Sequence, residues 1–289
     1  PAVVIGTGGM ASVPAVREAH RMGLPTAILN PDALPGRANR HLASIASVVF
    51  AQWEETVRHY PSGTDVRVLG CPIRPGFRCG ERGAGIKRFG LRPDRKTLLV
   101  TGASQGARSI NEAVIANLDW LESLPDWQIL HLPGEKDHAD RARAYGKRSM
   151  TAVVVPYTDH MADALNAADL VISRAGASTL AEVTAAGKAS ILMPYPYHRD
   201  QHQLANANCL ARVSAARIVR DAIDSAINGP ALRSALEELM TDDDAREAVA
   251  AAARRIGHPD AASDVAEQML RLIESAGAIH ARESVEATC

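Results

Sequence analysis

Ser178 and Glu182 stand four residues apart in SRAGASTLAE (173–182), a spacing that puts both on one face of a helix. A carboxylate so placed can accept two hydroxyls, as from a ribose. It can equally do no more than oppose the dipole of a helix first turn. Just ahead of it Ala175, Gly176, Ala177 and Ser178 are small, where the apolar run ADLVI (168–172) passes straight into a helical pattern. The free N–H groups and positive dipole end of a helix start attract anions, and glycine lets a ligand approach the backbone closely. Two more strand-to-helix turns share this character: GTGGMASVP (6–14), with Thr7, Gly8 and Gly9, and GASQGARS (102–109), with Ser104, Gln105 and Gly106. One such turn could serve packing alone. Three of them suggest a phosphate-bearing ligand held in a cleft. No G-K-[ST] follows any of the three, GTGGMA does not match GxGxxG, and no acidic residue ends the next strand. Triphosphate hydrolysis and dinucleotide redox chemistry both lose ground.

A second group of polar residues lies in HRDQHQLANANCLA (198–211). Gln203 and Asn206 are i,i+3 neighbours, and neutral amides suit sugar hydroxyls and acetamido groups because they both donate and accept. His198, Asp200 and His202 do not share a helix face and lack an obvious third partner, so no metal is expected.

The elements that must position these residues alternate. Short apolar runs at 2–6, 26–30, 47–51, 66–70, 97–102, 127–132, 152–157, 169–174, 189–195 and 216–219 are separated mostly by segments of helix length. That alternation predicts an α/β fold of doubly wound parallel sheets with helices on both faces. The Gly-, Pro- and Arg-rich stretch 74–96 has no sustained periodicity and marks a boundary. The expected organisation is an incomplete first domain over 1–78, a linker over 79–95, a second domain with closing helices over 96–276, and a tail over 277–289. The acidic run Asp242–Asp244 reads as the cap of a closing helix.

A chain of 289 residues with 46% hydrophobic and 22% charged residues has the length and balance of a two-domain soluble protein. Its net charge of −1 gives no bulk attraction to nucleic acid. Cys71, Cys79, Cys209 and Cys289 show no CxxC spacing, as for a chain kept in a reducing cytosol. No apolar run reaches the ~18 residues that span a bilayer. The chain opens at full stride in a strand, PAVVIGTGG, without Met, and residues upstream of Pro1 are expected.

Taken in order, GTGG…PGRANR, GCPIR (70–74), GASQGAR, YTDHM (157–161), SRAGASTLAE and DQHQLANA (200–207) resemble the MurG family over nearly the whole chain. The combination of blocks is specific where no single block is. MurG enzymes are bacterial glycosyltransferases of peptidoglycan synthesis that move N-acetylglucosamine from UDP-GlcNAc to lipid I, making lipid II. The resemblance implies the GT-B fold: two Rossmann-like domains, the donor bound mainly to the second. It implies contacts of Arg74, Ser104, Gln105 and Gly106 with the diphosphate region. Tyr157 would lie against the uracil and Thr158 would read its edge. Ala175–Ser178 (175–178) would cradle the α-phosphate, Glu182 would hold the ribose, and Gln203 and Asn206 the GlcNAc. An inverting displacement without a metal or other cofactor follows, with a general base from the other domain. So does a peripheral place on the cytoplasmic face of the bacterial inner membrane.

The departures all fall on the acceptor side. The family's first Gly-rich loop, with its candidate base, would lie upstream of Pro1, and its HEQN-like run is LNPD here, so that Asp32 replaces an asparagine. Thr7, Gly8, Gly9 and Asp32 are the acceptor-side residues the resemblance leaves. A GT-B UDP-sugar transferase with a different acceptor, or a non-catalytic nucleotide-sugar-binding fragment, stands beside the lipid I reading. Arg17, His20, Arg21, Arg37, Arg40 and His41 could form a basic face for anionic lipid heads, or be ordinary solvated surface.

Overall fold

Val, Ile and Leu fill most of the short apolar runs, and each run becomes a strand paired in parallel. The computed structural model describes residues 1–102, 106–197 and 200–286, and Ser104, Gln105 and His198 fall outside them. The first sheet has the order β1 (Val4–Gly6), β2 (Thr26–Asn30), β3 (Val48–Ala51), β4 (Val66–Val68). The second contains β5 (Lys96–Thr101), β6 (Trp127–Leu132), β7 (Ala152–Val154), β8 (Leu170–Ser173), β9 (Ala189–Leu192) and β10 (Arg217–Ile218), in the order β10-β9-β8-β5-β6-β7. These are the two Rossmann-like sheets of the expected α/β fold.

Alternation along each strand of the first sheet builds a core on each of its faces. Ile28 and Val49 pack with Val16 and Leu42 on one face, while Ala27, Val48 and Phe50 meet Val265 on the other. Val265 belongs to the helix Ala261–Glu286, and Met269 and Leu272 extend its contact. The chain therefore divides into a first unit, Pro1–Ile73 with that last helix, and a second, Arg74–Pro259. Two boundaries differ from the sequence reading. The last closing helix joins the first unit because its apolar stripe covers an otherwise bare sheet face. The expected linker 79–95 is largely helical (Arg82–Phe89) and packs within the second unit. A Cβ at Gly85 would lie 2.1 Å from the Asp163 carbonyl oxygen, so only glycine permits that approach. Arg82 fastens the segment through the Ala167 carbonyl (2.6 Å) and Asp169 (2.9 Å). Asp242 caps the helix Asp243–Ile256 by accepting from the Ala245 N–H at 2.9 Å, as the acidic run suggested.

Beneath the second sheet His131 is fully buried in β6. Its Nδ1 lies 2.9 Å from the Tyr145 hydroxyl and its Nε2 3.0 Å from Asn111 Oδ1. Burial, helped by nearby Arg141, pushes its pKa down from 6.5 to about 3. The unfolded chain then binds a proton that the folded chain refuses between those values. Stability is complete above pH 6.5 and falls as pH drops toward 3, by roughly 1.4 kcal/mol per unit from this group. Guanidinium unfolding across that window should show a pH slope that His131→Gln reduces. Equal slopes in both proteins would refute the assignment.

Candidate functional site

In the strand order of the second sheet, the chain path reverses between β5 and β8. Open parallel sheets bind ligands at such a point, outside the carboxyl ends of the strands. The helix Ala177–Ala185 starts there, directly after β8, with Gly176 as its extended N-cap residue and no side chain capping its first turn. Its first N–H groups are left for a ligand.

Two cavities meet at this helix start. The smaller, about 240 Å³, is walled by Arg74, Pro156, Tyr157, Thr158, Thr179 and Glu182 among others. The larger, about 690 Å³, is walled by Gly102, Gly106, Arg174, Gly176, Thr179, Tyr195, Gln203 and Asp221, with Tyr197 and Ile223 at its exposed rim. Thr179 borders both. Residues named from sequence thus converge: Arg74, Tyr157, Thr158 and Glu182 on one cavity, Gly106, Gly176 and Gln203 on the other. Ala177 and the exposed Ser178 stand in the first turn of the same helix.

Each converging side chain is chemically prepared. Glu182 is half-buried, and burial raises its pKa while the Arg74 charge opposes the rise. Arg74 lies 5.3 Å from the Phe77 ring. Tyr157 keeps an exposed ring, its hydroxyl donating to Asp159 at 2.8 Å. Thr158 accepts from the His160 N–H at 3.0 Å, which fixes the turn ahead of the helix Met161–Ala167. The Gln203 carbonyl accepts from the N–H groups of Ala175 (3.2 Å) and Tyr195 (2.9 Å), leaving its NH₂ group as the donor toward the cavity.

Two expectations are corrected. Asn206 is 0% exposed and donates to the Ala175 carbonyl at 3.2 Å. It braces the turn instead of reaching a ligand, because the i,i+3 face it shares with Gln203 turns into the core one turn later. Ala175 is equally buried, with its N–H spent on Gln203, so the open part of the turn begins at Gly176.

Other wall residues escaped the sequence reading. Arg174 donates to Asp221 (2.7 Å), to the Ser109 hydroxyl (2.8 Å) and to the Met193 carbonyl (2.9 Å). Ser109 in turn donates to Asp221. Arg174 stood visibly inside SRAGAST, but its partner is 47 residues away and no local spacing announces it. Ile223, a β-branched residue, sits at φ 63°, held by its N–H donating to Asp221 at 2.9 Å. That conformation costs roughly 1–2 kcal/mol.

In the first unit Gly8 and Gly9 adopt φ 98° and 73° ahead of the helix Ser12–Arg21, and Thr7 is exposed beside them. The Asp32 carbonyl accepts from Asn30 Nδ2 at 2.6 Å and from the Thr56 hydroxyl at 3.3 Å. That helix exposes Arg17, His20 and Arg21, and Met10 just before it is 70% exposed. Asp200 and His202 pair at 2.9 Å, but among the described residues no three His, Cys, Asp or Glu side chains form a metal-holding group. No described helix is long and apolar enough to cross a membrane.

Comparison with known proteins narrows the chemistry. Residues 97–267 match the model of the glycosyltransferase family 28 C-terminal domain. The chain is 37% identical over 275 residues to a UDP-N-acetylglucosamine–N-acetylmuramyl-(pentapeptide) pyrophosphoryl-undecaprenol N-acetylglucosamine transferase of Desulforamulus reducens, covering 92% of this chain and 72% of that protein. It is 37% identical over 281 residues to a transferase of the same name from Moorella thermoacetica, covering 95% and 75%. Among solved structures it resembles Acinetobacter baumannii MurG, with a TM-score of 0.75 and 26% identity over 93% of this chain and 73% of that one. A Neisseria meningitidis UDP-GlcNAc 2-epimerase shares the fold alone, with a TM-score of 0.66 and 13% identity over 94% and 76%.

Proposed function

This chain belongs to the MurG family, the GT-B N-acetylglucosaminyltransferases of peptidoglycan synthesis, and from that premise we propose how its own residues divide the work. The enzyme transfers N-acetylglucosamine from UDP-GlcNAc to lipid I with inversion, forming lipid II. The smaller cavity takes the uridine. Tyr157 lies against the uracil, the Thr158 backbone reads its edge, and Glu182 accepts the two ribose hydroxyls. The diphosphate spans the helix start at Gly176, with Arg74 on one side and Gly102 and Gly106 on the other. The family resemblance assigns Ser104 and Gln105, which lie outside the described residues, to the same diphosphate. The sugar enters the larger cavity, where the Gln203 NH₂ group donates to it.

A hydroxyl of the acceptor sugar attacks the anomeric carbon, the bond to the diphosphate oxygen breaks, and its electron pair leaves with UDP. The attacking hydroxyl gives its proton to a general base. The helix dipole and Arg74 stabilise the charge growing on the diphosphate, so the step needs no metal. On the first unit, Thr7, Gly8, Gly9 and Asp32 face the lipid-linked acceptor. The basic helix face with Met10 seats the protein peripherally on anionic lipid at the cytoplasmic surface.

The observation that carries this reading is the convergence of Arg74, Tyr157, Thr158 and Glu182 on one cavity that shares Thr179 with its neighbour. Calorimetric titration tests it. UDP-GlcNAc should bind, with UDP-glucose and ADP-glucose weaker by at least about tenfold, the worth of one lost polar recognition. Equal binding of ADP-glucose would refute the uracil assignment.

A further inference from the structure

Just after β8, Arg174 has its charge matched inside the larger cavity's own wall. Its side chain is 10% exposed and that of Asp221 only 1%. The carboxylate is closely held on all sides. It accepts from Arg174, from the Ser109 hydroxyl, from the Ile223 N–H and from Asn228 Nδ2 at 2.8 Å. Burial works against its ionisation, yet these donors hold it below the usual carboxylate range. The loop that carries it after β10 is fixed in turn by the Ala222 N–H donating to Asn228 Oδ1 at 2.8 Å, and it keeps Ile223 in left-handed backbone. An ionised aspartate this fully bound, on a strained loop facing a cavity, has a purpose beyond filling space.

We propose that Asp221 is a positioning residue that cancels the charge of Arg174 at the wall of the larger cavity, so that the diphosphate is held by the helix start and Arg74 and can leave after transfer. The inference rests on the donor reading above. A guanidinium free of its partner would sit in a partly desolvated wall next to a multiply charged product, where attraction is strong. With Asp221 in place, Arg174 spends its N–H groups on Asp221, Ser109 and the Met193 carbonyl. It ties together the ends of β8 and β9, the loop after β10 and the start of the helix Arg108–Ile115 without trapping UDP.

The test is the affinity of the full chain for UDP, by calorimetry at low and at high salt. Asp221→Asn should bind UDP about fivefold or more tightly at low salt, with the gain shrinking as salt screens it. In turnover its kcat and KM should fall together, because product release slows. A purely structural carboxylate predicts the opposite sign, and weaker or unchanged UDP binding by folded Asp221→Asn overturns the proposal. The double variant Arg174→Met, Asp221→Asn serves where the single one does not fold. It should bind UDP within about twofold of the parent, since the pair sums to no charge. A loss of tenfold or more would mean that Arg174 itself grips the diphosphate, and would overturn the proposal too. A parent chain that binds no UDP at all would instead overturn the donor reading on which this one stands.

Discussion

Glu182→Ala is expected to weaken UDP and UDP-GlcNAc alike by one to two orders of magnitude. Two hydroxyls donated to one carboxylate are hydrogen bonds to a charged group, together about 1.5–3 kcal/mol in this half-buried setting. Ribose is common to both ligands, so the losses should match, whereas Gln203→Ala should weaken UDP-GlcNAc and spare UDP. The carboxylate acts in its ionised form. Burial lifts its pKa above the ordinary 4.5, with Arg74 opposing, so donor binding should fade as pH drops through that raised value. The linkage for folding has the opposite sense. A folded pKa above the unfolded one means that ionised Glu182 strains the folded chain, and the strain is felt as pH rises through the window. Glu182→Gln should therefore melt higher than the parent at pH 7 while binding donor poorly. UDP affinity unchanged in Glu182→Ala would remove the ribose assignment.

Gly106→Ala should be among the most damaging single methyls in the second unit. A Cβ there would lie 2.0 Å from the Pro133 carbonyl oxygen and 3.1 Å from the Gly134 Cα, and the residue holds φ 71°. Neither neighbour is a flexible side chain that could yield. Backbone would have to move, at a cost of about 3 kcal/mol or more, and Gly106 would shift from its place in the wall of the larger cavity. Gly9→Ala is the control. Gly9 has a similar φ of 73° but nothing within 4 Å of the added carbon, so only the conformational cost of about 1 kcal/mol applies. Melting temperatures and UDP affinities of the two variants should separate clearly. Equal effects would show that backbone conformation alone, not crowding, sets the need for glycine.

The same glycine explains what the sequence could tell and what it could not. GASQGARS reads as a ligand-binding turn or a packing device, and in the structure Gly106 borders the cavity and packs tightly against Pro133. The strands were legible because sheets buried on both faces need unbroken apolar runs, and the placing of Glu182 one turn beyond Ser178 was legible because i,i+4 spacing is local. Asn206 misled because spacing identifies a shared helix face without saying where it turns inward. Arg174 and Asp221 were invisible as a pair, since only the crossover from β8 to β10 brings their strand ends together. The stretch 79–95 looked like a linker because Gly and Arg broke its periodicity. Those residues instead permit and fasten a close helix contact.

The covering of the first sheet by the helix Ala261–Glu286 has a temporal meaning as well as a spatial one. The second unit is continuous in the chain and can mature as soon as residue 259 has left the ribosome. The first unit cannot, for Ala27, Val48 and Phe50 wait for Val265 and Met269. Closing so long an intervening segment adds little in entropy beyond a shorter one, but it delays the event. During synthesis one face of the first sheet stays bare until the helix that begins at Ala261 has been made. In the newborn protein that face is the surface most in need of a chaperone.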